Sequence, residues 1–313
     1  MKADGKTADK VFKGFAYAAG ILILAVLAAV AVFLLIEAAP VFTSGSDAVG
    51  NAVASFTGGQ FHNFWLFAGP LVFGTVLSSA LALILAFFVA IGIALFISHY
   101  APKKFATVLS AVVDLLAAIP SVIYGLWGAL VFVPASQPFW NFVAKYLGWI
   151  PLFAPNPRTH VADPPKTVAS VAIVLAVMIL PIICSVSRDI FVQTPRLQQE
   201  AALALGATKW EMVKLAVLPF GKSGIISASM LGLGRALGET MAILMIISPG
   251  YTYAFNLLQT TKHSSIAATI ALMFGEATDD VSRAVLFGIG LVLFIITFIV
   301  NYIARKITEG KQQ

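Results

Sequence analysis

Charged residues are scarce in this sequence. They make up 11% of its 313 residues, whereas hydrophobic residues make up 59% and the mean hydropathy is +0.93. A soluble domain carries roughly 25% charged residues, enough to cover its surface with water-binding groups. The composition therefore excludes an ordinary water-soluble protein and indicates that lipid is the main solvent of the chain.

Cysteine and histidine are also scarce. The one cysteine, Cys184, lies in an apolar run, so no disulfide can form within the chain, and we expect a small lipid- or core-facing side chain. The four histidines, His62, His99, His160 and His263, are scattered and have no spacing typical of metal ligands. We therefore expect no metal site.

The sequence is rich in long apolar runs. Six are long enough to cross ~30 Å of hydrocarbon at ~1.5 Å per residue of helix. They predict an all-α, polytopic membrane protein of about six transmembrane helices, with residues 1–313 as a single transmembrane domain. The predicted helices are 15–38, 70–98, 107–133, 167–187, 223–248 and 284–304.

Two of these runs have features that affect their assignment. The first follows a basic N-terminal segment, as in a secretory signal peptide, but it exceeds the ~7–15 apolar residues of such a signal. We therefore interpret it as a retained transmembrane helix. The third contains Pro120, which lacks a backbone N–H and should kink the helix.

Lys and Arg predict the orientation. If the N-terminus is cytoplasmic, 14 of the 20 basic residues lie in inner segments and 5 in outer segments, and Arg235 lies within a helix. This bias predicts a multi-pass protein of a prokaryotic plasma (inner) membrane with both termini in the cytoplasm. Because these residues are spread over several loops, they do not indicate nucleic-acid binding.

Aromatic residues cluster in two predicted outer segments. They fit an aromatic belt or, in the segment 138–153, a short helix lying on the membrane. A docking surface for an extracytoplasmic partner is the alternative, and both interpretations stay open. The residues are Phe61, Phe64, Trp65, Trp140, Tyr146 and Trp149.

The predicted cytoplasmic loop 188–222 has the pattern of a helical hairpin. Residues 196–205 are good helix formers, and Gly206 follows where a left-handed C-cap would fit. A second helix is predicted over 208–217, with Thr208 as N-cap and Glu211 completing a capping box. We expect Leu218-Pro219 to end this second helix.

A phosphate-binding P-loop is not indicated next to this hairpin. Gly221-Lys222-Ser223 resembles the end of such a loop, but Ala216 stands where the motif needs its first glycine, and an apolar helix rather than a strand adjoins it. We therefore expect this chain to bind no ATP or other cofactor and to perform no covalent chemistry.

Charged residues inside the fifth apolar run predict a functional site. Arg235 and Glu239 lie ~18 and ~24 Å along a helix that starts at Ser223. They are four residues apart, so in a helix they can pair. An intramembrane arginine is costly, so it indicates either a structural ion pair or a gate or selectivity element for an anion. With the neighbouring Thr240, we assign both residues to a translocation pathway.

Small residues in the same run indicate close helix packing. Gly224, Ala228 and Gly232 have small-xxx-small spacing, as do Gly234 and Gly238.

Asp114 is a further acidic residue within a predicted helix. It lies ~11–13 Å from the cytoplasmic end of the third run. It is a possible intramembrane partner of Arg235, although their depths differ. The alternative is a Ser, Thr or basic partner near the inner surface.

The hairpin carries a resemblance to the permeases of ABC importers. Glu200-Ala201-Ala202, Gly206 and Leu218-Pro219 match the spacing of that family's cytoplasmic motif, with Ala216 in place of its isoleucine. The resemblance implies a type I ABC importer permease fold. It also implies that the first hairpin helix sits in a groove of a separate ATPase subunit and couples its motion to the membrane helices.

Two further segments narrow the resemblance to phosphate-specific importers. Residues 119–130 (IPSVIYGLWGAL) and 232–245 (GLGRALGETMAILM) are similar to those of phosphate permeases, and more to the PstC type than to the PstA type. The implied function is inorganic phosphate import. The implied partners are a PstA-like second permease, a PstB-like ATPase dimer that binds ATP and Mg, and a PstS-like extracytoplasmic phosphate-binding protein.

Three alternatives remain beside this expectation. An ABC permease for sulfate, molybdate or phosphonate would use the same arginine. A proton-coupled secondary transporter could use Glu239 as proton carrier but would leave the hairpin unexplained. A membrane enzyme is disfavoured because the sequence shows no nucleophile–base set and no metal-ligand cluster.

Overall fold

The regular secondary structure that the structure describes is helical. The structure is a computed structural model that describes residues 4–155, 161 and 164–309, so Arg158 and His160 lie outside the described residues. No strand occurs among the described residues, and the predicted all-α fold class is confirmed. The helices are α1 Asp4–Thr43, α2 Ser46–Thr57, α3 Phe64–Tyr100, α4 Lys103–Ala117, α5 Ser121–Ala135, α6 Gln137–Leu147, α7 Val168–Val192, α8 Arg196–Ala204, α9 Lys209–Leu237, α10 Met241–Ile246, α11 Ile266–Met273 and α12 Asp280–Glu309.

Five of these helices are long and apolar enough to cross a membrane. They are α1, α3, α7, α9 and α12, and the pair α4–α5 makes a sixth if it is counted as one span. Each of the six predicted runs thus overlaps a helix or helix pair, usually one that extends beyond the predicted bounds. The short helices α2 and α11 were not predicted, because neither is long enough to stand out as an apolar span.

The third predicted run, 107–133, is broken rather than kinked. α4 ends at Ala117, α5 begins at Ser121, and the two helices are bent by 90°. Pro120 has φ −57° and ψ 138°, which is extended backbone. It has no N–H for the helix ladder, and its ring disfavours helical backbone at Ile119. Both effects end α4.

The fifth predicted run, 223–248, is also broken. α9 ends at Leu237 and α10 begins at Met241. Between them the Glu239 carboxylate accepts a hydrogen bond from the Ala242 N–H at 3.0 Å. This bond gives an acceptor to one of the first N–H groups of α10, which have no partner within that helix.

At its other end this helix is longer than predicted. Leu218-Pro219 does not end the second hairpin helix, because α9 runs from Lys209 to Leu237 without interruption. A π turn at Val213–Val217 lets the Leu218 N–H reach the Val213 carbonyl, five residues back. Pro219, which lacks a backbone N–H, follows this π turn directly, and the helix continues through it. The loop between α7 and α9 is therefore 193–208, shorter than the predicted 188–222.

Contacts divide the chain into two compact units rather than the single domain expected. The first unit comprises Met1–Phe64 and Met273–Phe294, and the second comprises Trp65–Leu272 and Ile295–Gln313.

The first unit contains α1, α2 and the start of α12. Phe33 of α1 packs edge-on against Phe287 of α12, with ring centroids 5.6 Å apart. Asp279 precedes α12 and accepts hydrogen bonds from the Ser282 hydroxyl at 2.7 Å and the Ser282 N–H at 2.9 Å. These bonds hold the pKa of Asp279 below its ordinary value.

The second unit is organised around α7, whose inward face is fully buried. Val174, Leu175, Ile179 and Ile183 are 0% exposed, and so is Cys184, which therefore lies in the core, one of the two environments expected for it. α7 begins at an N-cap in which the Thr167 hydroxyl accepts the Ser170 N–H.

Small residues let α9 approach α7 closely. A Cβ added at Gly232 would lie 2.8 Å from Ile183, and one at Gly224 would clash with Ile190. Ala228, between them, is 0% exposed. The predicted packing role of this stripe is confirmed. The neighbouring Gly234 has no atom within 4 Å of an added Cβ and therefore does not pack.

Gly125 brings α5 against α10. A Cβ at Gly125 would lie 2.9 Å from the Cα of Ala242, a backbone atom that cannot rotate away. The break at Pro120 and the second break after Leu237 are thereby packed together, and this contact positions the candidate site.

Gly125→Ala is expected to destabilise the protein by about 1–3 kcal/mol, because the backbone of α10 must move to admit the methyl group. The control is Gly92→Ala, in the interior of α3, where nothing lies within 4 Å. There alanine should be neutral or stabilising by up to about 1 kcal/mol. Thermal unfolding of the two purified variants checks this, and equal unfolding temperatures would contradict the packing.

Candidate functional site

The site centres on Arg235, whose side chain lies at the break between α4 and α5. Its Nη1 donates to the carbonyl oxygen of Ala117 at 3.5 Å, and its Nη2 donates to that of Ile119 at 3.4 Å. The last carbonyls of a helix have no helical donor, and they carry the negative end of the helix dipole. A guanidinium placed there stabilises the broken end of α4.

Tyr124 completes this arrangement and was not recognised from the sequence. Its hydroxyl donates to the carbonyl oxygen of Leu116 at 2.8 Å. Three carbonyls near the end of α4, those of Leu116, Ala117 and Ile119, are therefore satisfied by side chains from α5 and α9. A tyrosine four residues after Pro120 lies on the first turn after the break, and that spacing was the available signal.

Arg235 keeps capacity for a ligand. Both of its hydrogen bonds are at the long end of the useful range, so each is weak. A guanidinium has five N–H donors in a planar fork, and the two contacts with carbonyls engage only two nitrogens. The side chain is half-buried and so remains accessible.

The predicted pairing of Arg235 with Glu239 is wrong. Since α9 ends at Leu237, the spacing of four residues is not helical, and no ion pair joins the two within the described part of the chain. Glu239 is 6% exposed and bonds the Ala242 N–H at the start of α10. The hydroxyl of Thr240 donates to the Gly238 carbonyl at 3.2 Å. Both side chains therefore shape the segment that joins α9 to α10.

Asp114 pairs with α7 and not with Arg235. The Ser185 hydroxyl donates to its Oδ1 at 2.6 Å, and Arg188 Nη2 lies 3.3 Å from the same oxygen. The alternative of a serine or basic partner is confirmed. Arg188, which the sequence placed at the start of a loop, lies inside α7 with its side chain 11% exposed. A second ion pair joins Arg188 to Asp189 at 2.7 Å.

The cytoplasmic hairpin has the predicted local structure. α8 ends in a Schellman motif, in which Gly206 has φ +85° and the Ala207 N–H donates to the Ala202 carbonyl at 3.2 Å. Thr208 and Glu211 form the predicted capping box at the start of α9. Both helix ends that meet in the hairpin are therefore satisfied by local hydrogen bonds.

The hairpin exposes apolar side chains. Leu205 is 90% exposed, Leu197 80% and Trp210 49%. Of the two predicted alanines, Ala202 packs against the core of the second unit, whereas Ala201 is exposed. Glu200 is exposed and makes no hydrogen bond or ion pair with any described residue. Such a surface is typical of one that another protein covers.

The segment 138–153 contains a short helix, as one of the two interpretations predicted. α6 buries Trp140 and Val143 and exposes Phe139, Phe142 and Tyr146, which are 55%, 59% and 57% exposed. The choice between membrane anchoring and partner docking stays a prediction.

Comparison with known proteins identifies the family. The model of the family described as "Binding-protein-dependent transport system inner membrane component" matches residues 90–310, which contain both Arg235 and the hairpin. The chain belongs to this family. This permease is accordingly a multi-pass membrane protein and a transport subunit.

Curated relatives cover nearly the whole permease. PstC 2 of Mycobacterium tuberculosis, a "Phosphate transport system permease protein", is 42% identical over 312 residues, covering 97% of this chain and 92% of that protein. PstC of Mycobacterium leprae is 43% identical over 286 residues, covering 90% and 87%. PstC of Xylella fastidiosa (strain Temecula1) is 40% identical over 237 residues, covering 75% and 71%.

Solved structures show the same fold. A chain of the MetNI methionine ABC transporter, in an inward-facing conformation, superposes with a TM-score of 0.53 at 17% identity. The match covers 79% of this chain and 96% of that chain. At this identity the likeness establishes the fold alone, which is that of a type I ABC importer permease.

Tyr124→Phe is expected to lower the stability of the permease by about 1 kcal/mol, because the Leu116 carbonyl loses the shorter of its two hydrogen bonds and keeps only the one from the Ile119 N–H at 3.3 Å. Tyr146→Phe is the matched control, since Tyr146 is 57% exposed on α6. Thermal unfolding of both variants in one detergent checks this. The interpretation would be contradicted if the two unfold together at the wild-type temperature.

Proposed function

We propose that this chain is the PstC-type permease subunit of an ATP-driven importer of inorganic phosphate. The observation that carries the proposal is Arg235, a guanidinium within a membrane-spanning helix, held by two long hydrogen bonds at a helix break. Relatives that are 40–43% identical and named for phosphate transport support the choice of anion.

The chemistry of Arg235 suits a tetrahedral oxyanion. Its planar donors match pairs of phosphate oxygens, and such charge-assisted bonds are stronger than bonds to neutral carbonyls. When the path is empty, the Ala117 and Ile119 carbonyls hold the guanidinium. An arriving phosphate would replace these weak bonds. Glu239 and Thr240 fix the adjoining segment, and we keep them in the translocation pathway.

A proton-coupled mechanism receives less support from the geometry. Its carrier would be Glu239, and the carboxylate of that residue is buried and bonded to the Ala242 N–H. Proton uptake would have to weaken this helix cap in every cycle, because a protonated carboxyl group is a poorer acceptor for the Ala242 N–H.

The hairpin is proposed as the coupling element. Its exposed leucines, with Glu200, Ala201, Ala202 and Gly206, would seat in a groove of a PstB-like ATPase dimer, which binds ATP and Mg and performs the hydrolysis. Leu218 and Pro219 lie within the unbroken α9. A movement of the hairpin would therefore pass along one helix to Arg235, and alternating access would follow from it.

The remaining partners and the membrane location follow from the same proposed function. We propose a PstA-like second permease beside this one and a PstS-like phosphate-binding protein outside the inner membrane, with both termini in the cytoplasm. The exposed aromatic face of α6 lies on the outer side in this orientation and is available to lipid or to the binding protein.

Labelled phosphate uptake tests the proposal. Phosphate-starved cells that lack this gene should regain uptake when the gene is restored, and excess sulfate or molybdate should not compete. Competition by sulfate or molybdate would assign the permease to another oxyanion. Uptake that survives ATP depletion but not loss of the proton gradient would overturn the ATP-driven mechanism.

In the same cells, Arg235→Gln should abolish uptake while the protein level stays normal, because glutamine keeps hydrogen-bonding capacity but removes the charge that balances phosphate. Immunoblotting of the membrane fraction controls for expression. Wild-type uptake by this variant would remove Arg235 from the pathway.

Leu205→Asp should uncouple the transporter, because a charge replaces an apolar side chain that is 90% exposed on the hairpin. We expect at least a tenfold loss of ATPase subunit recovered with the purified permease, equivalent to ~1.4 kcal/mol of binding. Leu205→Met, which keeps the side chain apolar, is the control and should retain the ATPase. Equal recovery with both variants would show that Leu205 does not contact the ATPase.

A further inference from the structure

A cavity of about 630 Å³ lies between α9 and the end of α12 and is lined in part by Arg235. Ser227, eight residues before Arg235, also lines it, so the cavity extends ~12 Å along α9. From α12 it receives Asn301 and Arg305, one helical turn apart. All of these residues belong to the second compact unit.

The charge of the cavity is unbalanced. Its lining contains two arginines, Arg235 and Arg305, and no carboxylate. The two ion pairs found among the described residues are both made by Arg188, which lies outside this cavity lining. Two guanidinium groups facing one space repel each other unless an anion lies between them.

Asn301 adds an exposed polar side chain to the cavity. It interrupts the apolar stretch of α12, and in the described part of the chain neither Asn301 nor Arg305 makes a hydrogen bond or ion pair. A bare amide in a membrane helix costs free energy unless it faces water, a ligand or another polar group. Its NH₂ group is a donor suited to an anion's oxygen.

The wall beside Arg235 is open. Gly234 lines the cavity, and a Cβ added there would meet no atom within 4 Å. The glycine therefore serves neither packing nor a turn, and the space that it leaves borders the guanidinium.

We propose that this cavity is a second binding station for a phosphate-type oxyanion, formed by Arg305 and Asn301 and continuous with Arg235. The assignment of the cargo rests on the proposed function. In the proposed orientation, Arg305 lies at the cytoplasmic end of α12, so an anion released by Arg235 would meet Arg305 before it leaves. The ligand is either free phosphate or the phosphate of an anionic lipid headgroup, since both present the same oxygens.

The test compares Arg305→Gln with Lys306→Gln in the complete transporter, reconstituted in phosphatidylcholine with or without phosphatidylglycerol. Lys306 is the matched control, because it is the adjacent cation and its Nζ lies 5.4 Å from the centroid of the Tyr302 ring, outside the cavity lining. The readouts are the KM and kcat of labelled phosphate transport, the lipid retained after purification, and the recovery of partner subunits.

We expect Arg305→Gln to lower the kcat/KM of phosphate transport about tenfold in either membrane, the usual effect of removing one charge-assisted hydrogen bond. Lys306→Gln should behave as wild type. An effect confined to phosphatidylglycerol membranes, with less of that lipid retained, supports the headgroup as the ligand. If transport and lipid retention equal those of the control, the proposed second binding site is overturned. Loss of partner subunits also overturns it and makes Arg305 an interface residue. If the wild type transports no phosphate, the proposed function is contradicted instead. Lipid retention then shows whether the cavity binds an anionic headgroup.

Gly234→Leu gives a second variant that leaves the charges intact. Since the space beside Gly234 is open, the variant should fold normally, and its leucine side chain should fill the cavity. Transport should then fall about tenfold or more, while the unfolding temperature stays unchanged. Gly92→Leu, at an equally open position on α3, is the control. Full transport by Gly234→Leu would show that no anion occupies this space.

Discussion

The broken end of α4 is the constraint on which this site depends. Pro120 stops the helix inside an apolar segment, where lipid offers no hydrogen-bond donor to the freed carbonyls. Donors must therefore come from neighbouring helices, and Tyr124 and Arg235 supply them. This arrangement explains how a charged side chain is retained within a membrane-spanning helix: it stabilises a backbone that would otherwise lack partners. Because these hydrogen bonds are weak, the Arg235 guanidinium can give up its bonds to the carbonyls and bind an anion instead.

Close packing holds the two breaks together. Gly125 on α5 touches the backbone of α10, so the end of α4 and the end of α9 are fixed relative to each other within the second unit. Below them, the glycine stripe of α9 lies against α7, and the π turn carries α9 past Pro219 into the hairpin. One continuous helix thus connects the exposed leucines of the cytoplasmic surface with Arg235. This continuity gives a mechanical route for coupling that a helix ended at Pro219 would lack.

Several features could be predicted because they depend on local chemistry. The Schellman cap at Gly206 and the capping box at Thr208 form from residues within one or two turns, so their sequence pattern was sufficient. The partner of Asp114 could be predicted only as a type, because Ser185 and Arg188 are about seventy residues away in sequence. The pairing of Arg235 with Glu239 failed for the same reason. It assumed a continuous helix, and the break after Leu237 depends on a backbone bond to Glu239 and on packing against α5.

The sequence by itself determined the solvent, the helical class and the hairpin, because composition, apolar length and capping residues act through short-range physics. It also singled out Arg235, since a charge in an apolar run is conspicuous without any structure. Only the tertiary structure decided what Arg235 binds, how far Pro120 bends the chain, and that Asn301 and Arg305 share a cavity with Arg235. These outcomes depend on which distant helices meet, and helices meet according to the packing of their whole surfaces rather than the residues near any one position.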